Sequence, residues 1–333
     1  MRVVVTGATG NVGTALLRAL AVEPRVASVL GVARRPPAEP PPGTEWMAAD
    51  VADAELEPAF AGADAVVHLA WAIRPSHDMA RLWRTNVLGS ARVFAAARAA
   101  GVPALVHASS VGAYSPGPKD RRVDESWPAR GLASSFYAVH KAECERRLDI
   151  LEREAPGMRV VRMRPGLIFS RRASSRVARL FLGPLAPRAA ARPSRLPVVP
   201  DIPGLRVQAV HSDDVADAYR LAIVRDDARG AFNVAAEPPL DPASVAGILG
   251  ARRVPVPARL VRAVVDASWR ARLQPTPPGW LDMALAVPLM DCSRARDLLG
   301  WRPARSSGEA LRELLEGVAD GAGGPTPALR PGR

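Results

Sequence analysis

Residues 1–22, MRVVVTGATGNVGTALLRALAV, carry a short apolar strand into three glycines at three-residue spacing and then straight into a helix. Gly7, Gly10 and Gly13 mark the turn, and Leu16, Leu17 and Leu20 give the helix a single apolar face. Strand, glycine turn and helix come in the order a dinucleotide site needs. Glycine lets the chain turn tightly and lets backbone amides approach a bound pyrophosphate, while the helix N-terminus offers favourable partial charge. A tight turn alone would use the same glycines, so the rest of the chain has to decide between the two readings.

Short apolar runs at 3–6, 29–33, 65–69, 104–108 and 159–163 alternate with helical patterns such as 81–100 and 136–155. Alternation of this kind reads as right-handed crossovers feeding a parallel sheet covered on both faces. The expected fold is therefore α/β, a Rossmann-type doubly wound parallel sheet. Beyond Pro165 the pattern gives way to Pro- and Arg-rich sequence, then resumes at VQAVHSDDVADAYRLAIVRDDARGAFNVA. The tail GAGGPTPALRPGR, residues 321–333, is expected to be disordered. No internal repeat is visible.

Lys119 and Lys141 are the only lysines in a chain rich in arginine, and Lys141 lies four residues after Tyr137. Positions 137, 141, 144, 148 and 151 form one helical stripe, so phenol and ammonium share a face. An ammonium within ~4 to 6 Å of a phenol oxygen lowers its pKa by about 1 to 3 units, from ~10 towards neutrality. Tyr137 is thus a candidate general acid or base, with Lys141 its activator. A solvated i, i+4 pair is the plainer alternative.

Composition narrows the function classes. The formal charge is +12, with a basic run at 171–195, which invites a nucleic-acid reading. Arginine is spread over the whole chain, however, and Phe181 is the one aromatic in that run, so a solvated basic surface is expected and no nucleic-acid partner. Cys144 and Cys292 have no metal-ligand spacing and read as core residues, the histidines offer no metal set, and no GxSxG elbow points to a hydrolase. The first residues go directly into strand and turn, leaving no room for a signal peptide, and no apolar run reaches the ~18 residues that cross a membrane. The expectation is a cytoplasmic protein without a membrane partner.

TGATGNVG, HLAWA at 68–72, NVLGS at 86–90, HASSVGAY at 107–114, YAVHK at 137–141 and RPGLIF at 164–169 together resemble an extended short-chain dehydrogenase/reductase, of the NAD-dependent epimerase/dehydratase family. HSDDVADAY, FNVAAEP and DCSRARDLLGWRP extend the resemblance to about residue 318. It implies a cofactor-binding domain of 1–165 joined by 206–240, and a smaller, discontinuous substrate lobe of 166–205 and 241–318. It implies cofactor contacts at Gly7, Thr9, Gly10, Asn11, Val12 and Gly13, at Asp50 and Val51 beside the adenine, and at Leu69, Ala70, Asn86, Lys141, Pro165 and Ile168. For Asn86 a structural role is expected ahead of catalysis. NAD-preferring members carry an acid close to Ala33, whereas Arg34 and Arg35 follow here, which suits a 2′-phosphate; NADP is the expected cofactor, with NAD the alternative. Asp213 and Asp214 are expected to cap the helix that follows them.

By the same resemblance Ser110, Tyr137 and Lys141 form the catalytic set: Ser110 orients the reacting oxygen, Tyr137 moves its proton, and Lys141 holds the ribose. Val111 and Gly112 stand where 4,6-dehydratases carry an Asp-Glu pair, which counts against water elimination. Leu167 replaces an asparagine typical of nucleotide-sugar members, and the arginine typical near Val207 is displaced to Arg206. Trp71, Ile73 and Trp83 suggest an apolar substrate, with Trp71, Ser110 and Tyr137 touching it. The expected activity is hydride transfer between NADP(H) and a carbonyl or secondary alcohol. A nucleotide-sugar epimerase that keeps its cofactor is the alternative, and a non-catalytic NADP sensor a third reading. A homodimer through helices 81–100 and 136–155 is expected by analogy.

Overall fold

The computed structural model describes residues 1–73, 77–181, 198–274 and 276–331. Seven strands form one parallel sheet. From edge to edge it runs Gly230–Val234, Arg159–Pro165, Ala104–Ala108, Ala65–His68, Arg2–Thr6, Ser28–Ala33 and Thr44–Ala48. Five of these strands coincide with the five apolar runs. The order reverses between Ala65–His68 and Arg2–Thr6, and a crevice opens there at the carboxyl ends of the strands.

Each strand alternates its side chains between two cores. Val3 and Val5 face one core with Ala65, Val67, Ala104 and Val106; Val4, Val66 and Leu105 face the other. Helices Asn11–Leu20 and Ser212–Val224 cover the first face, with Leu16, Leu17, Leu20, Tyr219 and Ile223. Helices Gly89–Ala99 and Phe136–Glu154 cover the second through Val93, Phe94, Leu148 and Leu151. Two-sided burial explains why these strands read as continuous apolar runs.

The edge strand Thr44–Ala48 is half-exposed, carries Glu45, and lays Trp46 against Gly31, where an added Cβ would lie 3.0 Å from the indole. The strand Arg159–Pro165 is buried along its whole length although it contains three arginines. Arg159 donates to the carbonyls of Ala222, Ile223 and Ala228, closing the end of helix Ser212–Val224. Arg162 and Arg164 lie on the opposite face, towards helix Phe136–Glu154.

Two expectations need correction. The segment from residue 321 to Pro331 is folded, not disordered. Leu329 is buried, the Thr326 hydroxyl donates to Thr9 O at 2.8 Å, and the Ser174 and Ser175 hydroxyls donate to Ala322 O. Its glycines and prolines shape a tight loop around Leu329 rather than a solvated tail. Asp213 and Asp214 are not caps. His211 is the N-cap of helix Ser212–Val224, Asp213 pairs with Arg18 at 2.7 Å, and Asp214 accepts from the amides of Ala304 and Arg305. Part of the basic run, 182–195, lies outside the described residues. Among the described residues no helix is long and apolar enough to cross a membrane.

Candidate active site

The crevice starts at the glycine turn. Gly7 has φ of +74°, and a Cβ there would sit 2.6 Å from Ala70 N, so the turn and the loop after Ala65–His68 touch backbone to backbone. Gly10 is the N-cap of helix Asn11–Leu20, and no side chain caps the first amides. Those donors and the turn's open backbone suit an anion. Gly7→Ala combines a left-handed φ with a backbone overlap, and dinucleotide binding is expected to weaken by at least about tenfold, or ~1.4 kcal/mol. A fluorescence titration with NADPH checks this; unchanged affinity would mean that the turn does not contact the dinucleotide.

Around the turn the cleft is lined by Thr9, Asn11, Val12, Gly13, Arg34, Asp50 and Val51 on one side. On the other side stand Leu69, Ala70, Trp71, Ser110, Tyr137, Lys141, Pro165 and Ile168. Asp50 also accepts from Ala52 N at 3.1 Å, so it both closes a turn and faces the cleft. Two expected contacts are elsewhere. Arg35 is exposed outside the cleft. Asn86 is fully buried in a π-turn, where its carboxamide clamps Ala72: the oxygen accepts from Ala72 N at 2.7 Å and the nitrogen donates to Ala72 O at 3.2 Å. Asn86 therefore shapes the loop carrying Trp71 and does not line the cleft. Trp83 packs on His140. Arg206 is occupied by Lys119 O.

Sequence reasoning missed Arg176, Val177 and Leu180 of helix Ser174–Phe181, Trp280 and Met283 of helix Gly279–Ala286, and Ala328. Arg176 was hidden by the surrounding arginines, and Trp280 and Met283 had nothing to set them apart from core residues.

Ser110 is the N-cap of a short 3₁₀ turn, its oxygen accepting from Gly112 N at 3.0 Å. Its hydroxyl stands close enough to the Tyr137 phenol to favour the phenolate. Tyr137 is enclosed by aromatic rings, Trp71 edge-on at 6.0 Å and Trp280 at 5.0 Å. The space beside Gly112 is filled: a Cβ there would meet Met283 Sδ at 2.9 Å and the Tyr137 ring at 3.0 Å. A side chain at Gly112 would have to displace Met283 or the Tyr137 ring, and Gly112 itself supplies no acid.

The electrostatics differ from expectation. Burial pushes the Tyr137 phenol up to about 12, with the Ser110 hydroxyl working against it, rather than down towards neutrality. The reason is geometric. Lys141 Nζ lies 3.4 Å from the centre of the Trp71 indole, 5.8 Å from the Tyr137 ring centre, and donates to Ala108 O. Burial lowers the ammonium to about 7, with Cys144 and Glu145 opposing.

Beneath Ser110 lies a buried ionic group. Ser109 donates to Glu145 at 2.5 Å, and Arg164 grips the same carboxylate with Nε at 2.8 Å and Nη2 at 2.9 Å. Arg162 adds a bond to Glu145 at 3.2 Å and another to Asp149 at 2.6 Å. Arg164 also donates to the Tyr114 hydroxyl, which donates to Asn233 at 2.6 Å. Burial raises the cost of ionising Glu145, but Arg164, Arg162 and Ser109 outweigh it and hold its carboxyl below the usual range.

The sequence model of the NAD dependent epimerase/dehydratase family matches residues 3–235. The chain belongs to this family. Within it, an uncharacterized protein of Mycobacterium tuberculosis is 30% identical over 325 residues, which is 96% of this chain but 30% of that protein. The chain thus spans about a third of the length of its mycobacterial relatives. The dTDP-6-deoxy-L-talose 4-dehydrogenase (NAD(P)(+)) of Kitasatospora kifunensis is 28% identical over 345 residues, covering 94% of each chain. Among solved structures, a short-chain dehydrogenase/reductase superfamily protein of Agrobacterium tumefaciens with bound NAD superposes with a TM-score of 0.69. It shares 24% identity over 96% of each chain, a likeness of fold.

Proposed function

We propose that this family member is an NADP(H)-dependent oxidoreductase acting on a carbonyl or secondary alcohol of apolar character. The observation that carries this reading is the enclosed Ser110–Tyr137 pair, set among Trp71, Trp280 and Met283, with Val111 and Gly112 carrying no acid beside it. When bound, NADP(H) supplies hydride at C4 of its nicotinamide. Ser110 donates to the carbonyl oxygen and fixes its position, and Tyr137 transfers its phenolic proton to that oxygen as the alcohol forms. A phenol at about 12 is protonated throughout the physiological range, the form that can give a proton to the carbonyl oxygen during reduction. The glycine turn and the amides after Gly10 hold the pyrophosphate, Arg34 the 2′-phosphate, and the Lys141 ammonium the nicotinamide ribose. The cytoplasm and a homodimer through the helical segments 81–100 and 136–155 belong to the same reading.

Lys141 sets a pH dependence. Its charge is present below about 7 and lost above it, so carbonyl reduction is expected to fall as pH rises through 7. The Trp71 face stabilises the ammonium by about 1–2 kcal/mol, equivalent to ~1 pH unit. Trp71→Leu should therefore move that limb to lower pH by about one unit, read from kcat/KM profiles; an unmoved limb would assign it to another group.

Incubating the purified protein with a panel of carbonyl compounds and either NADPH or NADH tests the activity. NADPH consumed in proportion to alcohol formed supports it. Tightly held cofactor with isomerised nucleotide sugar and no net turnover would replace it with the epimerase reading.

A further inference from the structure

Arg176 occupies an energetically awkward place. It lies on helix Ser174–Phe181, in the segment following the cofactor sheet, yet it lines the same cleft as the glycine turn and Arg34. Among the described residues it makes no hydrogen bond or ion pair. Burial, the Arg179 guanidinium and the Arg34 guanidinium all disfavour its charge. Arg34 is exposed and pairs only loosely with Asp50, 3.9 Å away. Arg179 is turned outwards, donating to Arg330 O at 3.4 Å.

The position is held firmly. Ser170, just before the helix, donates to Asn11 at 2.8 Å; Ser174 and Ser175 are tied to Ala322 O; and Thr326 anchors the following loop to Thr9 O. The helix is thus moored to the glycine turn from both ends of the chain. A guanidinium in a cleft that also carries the Arg34 guanidinium, without an acceptor among the described residues, is arranged for an anion. Arg34 follows the strand Ser28–Ala33, whose end borders the adenosine ribose in glycine-turn sites, whereas the pyrophosphate faces the turn's own amides.

We propose that Arg176 and Arg34 form a two-sided clamp for the 2′-phosphate of NADP, one guanidinium from the central sheet and one from helix Ser174–Phe181. This rests on the NADP reading above and names a second residue that decides the choice between NADP and NAD. Guanidiniums closing on one phosphate from two directions offer several charge-assisted donors to three acceptor oxygens. They also make the discriminating contact depend on how the helix sits over the turn.

Isothermal titration of the full chain with 2′,5′-ADP and with 5′-AMP separates the contributions, because the two probes differ only in the 2′-phosphate. Wild type is expected to bind 2′,5′-ADP at least thirtyfold more tightly (about 2 kcal/mol). Arg176→Gln should lose at least tenfold for 2′,5′-ADP and change 5′-AMP less than twofold, with Arg176→Lys restoring part of the loss. The melting temperature of Arg176→Gln should hold or rise, because a half-buried charge without a partner among the described residues has been removed. Equal losses for both probes would overturn the clamp by placing Arg176 on the shared 5′-phosphate, and no loss would overturn it outright. If Arg34→Ala loses the preference while Arg176→Gln keeps it, the clamp falls and the NADP reading stands. If wild type shows no preference, the NADP reading falls as well.

Discussion

Tyr137→Phe is expected to lower kcat for carbonyl reduction by about 10³-fold, within the 10²–10⁴-fold range of a positioned general acid. Phe keeps the ring between Trp71 and Trp280, so the cleft's packing is preserved and only the proton donor is lost. NADPH affinity should stay within twofold, which separates a chemical defect from a folding or binding one. Ser110→Ala should cost less, because the phenol remains and one oriented donor is removed. A Tyr137→Phe protein that turns over at the wild-type rate would move the proton to another group.

Glu145→Ala is expected to cost about 3–5 kcal/mol of stability, the usual penalty for breaking a buried ion pair from one side. Arg164 and Arg162 are 4% and 7% exposed, so neither recovers its hydration when the carboxylate disappears. A loss of this size corresponds to a melting temperature lower by on the order of 10 °C. Because the folded-state pKa of Glu145 is depressed, its contribution is present above the ordinary value of 4.5 and is lost as pH falls through the folded value. Acid melts of the Glu145→Ala protein should therefore run closer to wild type than melts at pH 7. Ser109 loses its acceptor at the same time, and the neighbouring Ser110 becomes less well placed, so reduced kcat should accompany the lower stability. A variant as stable as wild type at pH 7 would show that the arginines find other partners.

Much of this molecule was legible in its residues. The short continuous apolar runs gave the sheet interior because both faces of these strands are buried. The glycine spacing gave the turn because Gly7 alone tolerates its φ and its contact with Ala70. Thr44–Ala48 escaped because an edge strand with one solvated side needs no apolar run. The pairing of Arg162 and Arg164 with Glu145 was not visible, since sequence cannot show that a carboxylate eight residues beyond Tyr137 lies opposite them. Arg176 was lost among neighbouring arginines for the same reason. The Tyr137–Lys141 spacing correctly put both on one helical face, but spacing carries no information about Trp71, whose indole takes the ammonium away from the phenol. The segment 321–331 failed on composition: glycine and proline indicate a lack of regular structure, not a lack of contacts, and Leu329 and Thr326 supply those.

The most direct measurement is a cofactor and product balance on purified protein. NADPH is added in excess to a hydrophobic ketone, and NADP formation is followed by absorbance while the alcohol is quantified by mass spectrometry. One alcohol per NADPH oxidised, with the Tyr137→Phe protein inert and still binding NADPH, is the expected result. Isomerised substrate with no NADPH oxidised, or a rate indifferent to Tyr137, would contradict a reductase built on this phenol.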